Sequence, residues 1–174
     1  MIKITNLNFL NQTIENIEVD GDDIHDVELK LTKTYLTYGV IRSSELINCL
    51  ITDNDCDDNT NYINVNKKQI VINNHKNDRK GKKVIDINDN KLLGILRKGI
   101  GRFLVNTQQG ELYQSSSAFS KVFMKYFEHN VYDLRKAISS KCIAEGNIEE
   151  IKKLERVQGH DLKTILEFYN VYSK

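Results

Sequence analysis

The sequence predicts an α+β domain, mainly helical, with one small antiparallel three-stranded sheet. Three observations carry that expectation. Runs of alternating apolar and polar residues at 62–66, 69–73 and 83–87 lie close together in the middle of the chain, and a period of two marks a strand with one buried face. Segments on either side carry apolar residues at helical spacing, as in Phe119, Val122, Phe123, Tyr126 and Phe127. A length of 174 residues, 40% of them hydrophobic and 28% charged, suits one well-buried domain and is short for two.

Composition narrows the class of function. The longest apolar runs are only a few residues, too short to span a bilayer. The N-terminal residues have neither the apolar stretch nor the small-residue cleavage site of a secretory signal. Cys49, Cys56 and Cys142 are odd in number and lack metal spacing, which points to reduced thiols in an intracellular protein with no metal and no cofactor. The net charge of +1 conceals a segregation. Residues 1–31 carry Lys3 and Lys30 against seven acidic residues, whereas residues 66–98 carry ten lysines and arginines against Asp78, Asp86 and Asp89. A basic third in a near-neutral chain implies a side that faces a polyanion.

Taken in order, residues 1–25 read as a lead segment of short extended pieces, and residues 26–174 as the domain proper. A helix is expected from Asp26, with Asp22 or Asp23 as cap and Leu29, Tyr35 and Leu36 on its apolar face, ending at Gly39. A second helix is expected to start at Arg42-Ser43-Ser44-Glu45 and to run through Cys49 and Leu50. Its Arg42 and Glu45, three apart, share a face, so the carboxylate is placed to orient the guanidinium. Residues 51–61 are rich in Asp and Asn, but the glycine and terminal glutamate of a calcium loop are missing. They read as a polar loop leading into the sheet. The second and third strands flank a basic turn at 74–82. Asp89 and its neighbours cap a helix carrying Leu92, Leu93 and Leu96 that stops at Gly99-Ile100-Gly101. Phe103-Leu104-Val105 is a short strand-like run, and Ser115-Ser116-Ser117 caps the helix with the aromatic stripe. A helix around Ala137 and Ile143 is stopped by Glu145-Gly146-Asn147.

Four short boxes stand out along this order. They are Tyr38-Gly39-Val40-Ile41-Arg42-Ser43-Ser44-Glu45-Leu46, Tyr132-Asp133-Leu134-Arg135, Gln158-Gly159-His160, and Tyr169 nine residues after the histidine. Together they resemble the catalytic domain of the tyrosine recombinases, the phage-integrase family of DNA strand-exchange enzymes. The resemblance covers the chain from about Asp26 onward and departs from the family at Tyr132, which stands where histidine is usual. It implies an integrase-type catalytic domain encoded by a virus or mobile element, acting on double-stranded DNA. Arg42, Lys76, Tyr132, Arg135, His160 and Tyr169 would then be the catalytic set, with Glu45 supporting Arg42. Lys76 is chosen over Lys80, Lys82 and Lys83 as the lysine that protonates the leaving oxygen. Arg79, Lys80, Lys82, Lys83 and Lys136 would meet DNA phosphates.

The residue types suit that chemistry. Arginine forks give parallel charge-assisted hydrogen bonds to the oxygens of a phosphodiester and stay protonated. Histidine holds an oxygen or takes the phenol proton, and a phenol can donate to phosphate where histidine is replaced. Attack by Tyr169 would leave a 3′-phosphotyrosine link and a free 5′ hydroxyl, so that rejoining needs no nucleotide. A type IB topoisomerase, a hairpin telomere resolvase and a DNA-binding protein that keeps the fold without the chemistry remain as alternatives. Residues 1–25 are too few for the separate DNA-clamping domain of full-length family members. Only five residues follow Tyr169, too little surface for a firm exchange between subunits. The free chain is therefore expected to be a monomer, with any oligomer depending on DNA.

Overall fold

Ile51, Ile63, Ile70 and Ile85 form a row across four adjacent strands, and that row is the base of the core. In the computed structural model the described residues are 29–30, 32–34, 41–73, 81–104, 113, 115–127, 139, 143, 145–146, 148–158 and 161–164. The strands are β1 (Leu50–Thr52), β2 (Tyr62–Asn64), β3 (Gln69–Ile72) and β4 (Lys83–Asp86), in the order β1-β2-β3-β4. The row is almost fully removed from solvent, and each such isoleucine contributes about 1.5–3 kcal/mol relative to exposure.

The molecule is a mix of helices and sheet, as expected, but the sheet is larger and of mixed direction. β2, β3 and β4 are the three alternating runs, paired antiparallel in register Ile63↔Ile70↔Ile85. The fourth strand, β1, is parallel to β2 and pairs Ile51 with Ile63. The expected helix through Cys49 and Leu50 is thereby corrected. Helix α1 covers only Ser43–Leu46, because the Leu50 N–H reaches the Asn61 carbonyl at 2.9 Å instead of a carbonyl of the preceding turn. The loop at 51–61 correspondingly starts later than expected, after Thr52. It is folded by Asp57, whose carboxylate accepts from the Asn59 N–H at 3.0 Å and the Thr60 hydroxyl at 2.8 Å.

The outer edge of β1 meets residues 101–104. Ile51 N–H donates to the Arg102 carbonyl and Gly101 N–H to the Ile51 carbonyl, each at 2.8 Å, and Leu50 bridges Phe103. This pairing protects an edge that would otherwise present open backbone groups. Helix α2 (Asn90–Arg97) feeds that segment. Its cap is Asp89, whose carboxylate accepts from the N–H groups of Lys91 and Leu92 at 2.9 and 3.1 Å. Leu92, Leu93 and Leu96 close one side of the core.

Helix α3 (Ser116–Phe127) adds the fully buried Phe119 to the same core and packs on α1. Helix α4 (Ile148–Gln158) adds Leu154 and packs against β4. Gly146, with φ of 66°, turns the chain before α4 in the left-handed region where a side chain is strained. Residues 29–30 and 32–34 are helical and buried, Lys30 and Lys33 included. Among the described residues, no helix is long and apolar enough to cross a membrane. The lead segment at 1–25 lies outside the described residues.

Candidate functional site

Alternation along β4 places Lys83, Ile85 and Ile87 on the inner face and Val84 and Asp86 on the outer. A lysine thus stands on the same face as the buried Ile85 and Ile87, next to Ile72 across the β3–β4 pair. A buried ammonium requires a partner, because desolvation of a lone charge is costly. The partner is Glu45, whose Oε1 receives the Lys83 Nζ at 3.1 Å. The two side chains are 9% and 2% exposed, so the ion pair belongs to the interior.

Glu45 joins several segments. Its Oε2 accepts from the Arg42 backbone N–H at 3.2 Å, closing the first turn of α1. Its Oε1 also lies 3.6 Å from Arg42 Nη1, close enough for strong attraction and too far for a hydrogen bond. Arg42 Nη1 is buried and has no hydrogen-bond partner among the described residues. The Glu45 carbonyl accepts from Asn61 Nδ2 at 3.2 Å and from Cys49 Sγ at 3.3 Å. Burial, and then the neighbouring Glu45 carboxylate, push the Cys49 thiol well above its ordinary range, so it stays protonated.

Asparagines tie the far side of the hairpin to the same helix. Asn73, directly after β3, donates its N–H to Asn61 Oδ1 at 2.9 Å. Its side-chain amide donates to the carbonyls of Thr60 and Asp57 at 2.7 and 3.1 Å. Both roots of the β3–β4 turn are therefore held to α1, one through Lys83 and the Glu45 carboxylate, the other through Asn73, Asn61 and the Glu45 carbonyl.

Of the residues singled out from the sequence, Arg42, Glu45, Lys82 and Lys83 lie among the described ones. Arg42 and Glu45 meet as their spacing predicts. Lys82 is exposed at the root of the turn. Lys83 departs from the expectation that it faces DNA, because its ammonium turns inward onto Glu45. The signal was present in the Lys83-Val84-Ile85-Asp86-Ile87 alternation, which assigns Lys83 to the face of the two isoleucines. Asn61 and Asn73 were not singled out, since asparagines in polar loops carry no periodic signal. Lys76, Arg79, Lys80, Tyr132, Arg135, Lys136, His160 and Tyr169 lie outside the described residues. Around the last box, α4 ends at Gln158 and residues 162–164 are again helical, with the Asp161 carboxylate accepting from the Thr164 N–H at 2.7 Å.

A second, exposed cluster surrounds Asp55, which accepts from Asn64 Nδ2 at 3.0 Å and pairs with Lys67. The Lys67 ammonium, with help from Asn64, holds the Asp55 carboxyl below the usual carboxylate range. No group of three or more His, Cys, Asp or Glu among the described residues is arranged to hold a metal ion. Comparison with protein families, with curated proteins and with solved structures finds no match to this chain.

Proposed function

We propose that this chain is a tyrosine-recombinase-type enzyme that cleaves and rejoins DNA through a covalent 3′-phosphotyrosine intermediate. The observation that carries the reading is the Arg42–Glu45–Lys83 cluster. It fastens an Arg-x-x-Glu helix start to the root of a basic hairpin and leaves Arg42 Nη1 buried with its hydrogen-bonding capacity unmet. A buried guanidinium nitrogen that shares a carboxylate with the lysine at the root of the hairpin is suited to an anionic oxygen, because a charge-assisted hydrogen bond there is far stronger than in water.

On this reading the remaining machinery comes from the boxes recognised in the sequence. Arg135 grips the second non-bridging oxygen, and Tyr132 donates to the same phosphate. Lys76 protonates the leaving 5′ oxygen, and Tyr169 attacks phosphorus as its phenol proton passes to His160. The phosphodiester bond exchanges for a phosphotyrosine bond of similar energy, so the reverse attack by the 5′ hydroxyl restores the strand. The finer architecture, an integrase-type catalytic domain, belongs to the same proposal and is supported by the order of the elements. The Arg42 helix precedes the sheet, and helix α4 lies near the end of the chain, directly before Gly159-His160 in the sequence.

The test is a duplex with a nick close to the cleavage position, which loses a short fragment and traps the enzyme on DNA. A covalent adduct that survives denaturation and disappears in Arg42→Ala is expected. Its absence across a library of nicked duplexes would overturn the enzymatic reading and leave DNA binding without chemistry.

A further inference from the structure

We infer that Lys83 is a positioning residue: it draws the Glu45 carboxylate away from the Arg42 guanidinium and so keeps that guanidinium open for a phosphate oxygen. The inference rests on the reading of Arg42 as a phosphate ligand, and it assigns Lys83 no contact with the phosphate.

The two carboxylate oxygens of Glu45 are used differently. Oε2 accepts from the Arg42 backbone N–H at 3.2 Å. Oε1 accepts from Lys83 Nζ at 3.1 Å and stands 3.6 Å from Arg42 Nη1. An arginine three residues before a glutamate would ordinarily close a hydrogen bond to it, since paired charges in a dry setting gain most from direct contact. Here the lysine has the short contact and the arginine the long one. The result is a guanidinium nitrogen that is buried, lacks a hydrogen-bond partner and is still attracted toward one side by the carboxylate. Such an unmet donor costs stability in the free protein. That cost is recovered when an anion supplies the missing acceptor.

The placement of Lys83 supports an adjusting role. Its side chain lies on the core face of β4 between Glu45 and the isoleucine row and is 9% exposed, so it cannot sweep outward to meet a duplex without leaving the core. Removing its charge would free Oε1, which then has Arg42 as its remaining cationic neighbour among the described residues. The carboxylate would close on Arg42 Nη1 and compete with any incoming anion. Removing the charge of Glu45 as well would release Arg42 again. The inference therefore requires epistasis of opposite sign, which a scaffold role or a direct phosphate contact does not produce.

The experiment follows the Arg42 Nε–Hε cross-peak by NMR during titration with inorganic phosphate at constant ionic strength, the peak being assigned by its loss in Arg42→Lys. Lys83→Met should weaken phosphate binding at Arg42 by about tenfold or more, the worth of one charge-assisted hydrogen bond. Lys83→Arg should restore it to within about twofold, because the second charge on Glu45 is retained. The double variant Lys83→Met with Glu45→Gln should bind within about threefold of the parent, the local charge being unchanged at +1. If Lys83→Met does not fold, Lys83→Gln replaces it in both single and double form. An unaltered affinity in the single variant overturns the inference, as does a double variant no better than the single. A parent cross-peak indifferent to phosphate overturns it too. The nicked-duplex adduct is scored separately, so that loss of the adduct removes the enzymatic reading while the epistasis at Arg42 stands or falls by itself.

Discussion

Replacing Glu45 by alanine tests whether the interior charge cluster is structurally sound. The carboxylate is 2% exposed and has Lys83 Nζ at 3.1 Å, the Arg42 N–H at 3.2 Å and Arg42 Nη1 at 3.6 Å. At 3.1 Å, and with an effective dielectric of about 20, one such pair attracts by roughly 5 kcal/mol. Desolvation of both ions offsets most of that in the intact protein. The balance changes when one partner is removed. Alanine removes the anion that Arg42 and Lys83 share, and breaking a buried pair from one side costs about 3–5 kcal/mol. The Arg42 side chain is 16% exposed and can recover some hydration, which places the expectation toward 3 kcal/mol, approximately. That is a large part of a total stability of about 5–15 kcal/mol. Urea unfolding at neutral pH, followed by circular dichroism, measures it. Glu45→Gln keeps the acceptor for the Arg42 N–H and should lose clearly less. Lys67→Met, at the exposed pair with Asp55, should leave the midpoint within scatter. A Glu45→Ala loss below about 1 kcal/mol with an unchanged m-value would refute the reasoning, because it would mean the carboxylate is solvated.

Further outcomes follow from the same reasoning. Tyr169→Phe should abolish the covalent adduct while Tyr172→Phe, three residues on, leaves most of it; the opposite pattern reassigns the nucleophile. Neutralising Lys80 and Lys82 together should lower the slope of log affinity against log salt by about one for each lost phosphate contact, and an unchanged slope would show that the turn points away from DNA. Acid should open the 53–60 loop before the core. The Thr60 hydroxyl and the Asn59 N–H hold the Asp57 carboxyl below its ordinary 3.8, as Lys67 and Asn64 hold that of Asp55. Folded values below the unfolded one mean stability present in full above the unfolded value and lost as pH falls through the folded one. The Asn59 and Thr60 amide shifts should therefore titrate below 3.8, and a midpoint at or above it would contradict the assignment. Cys49, buried and protonated, should resist iodoacetamide until the core unfolds, whereas Cys56 reacts in the native protein; equal rates by mass spectrometry would show that the core opens locally.

The antiparallel part of the sheet was determined by the sequence alone, because alternation at 62–66, 69–73 and 83–87 is a local property of each run. The cap at Asp89 and the pairing of Arg42 with Glu45 were legible for the same reason, since residues three apart on one turn are neighbours whatever the rest of the chain does. The tertiary structure decided the features whose partners are remote. Leu50–Thr52 holds a single inward residue, Ile51, and becomes a strand only because Tyr62–Asn64 and residues 101–104 supply hydrogen bonds on its two sides. Lys83 was legible as basic, and its inward position was implicit in the alternation. That this position is tolerated depends on a carboxylate 38 residues away. A charge can enter a core only where a counter-charge is already buried, and that is a property of the packed molecule rather than of either segment.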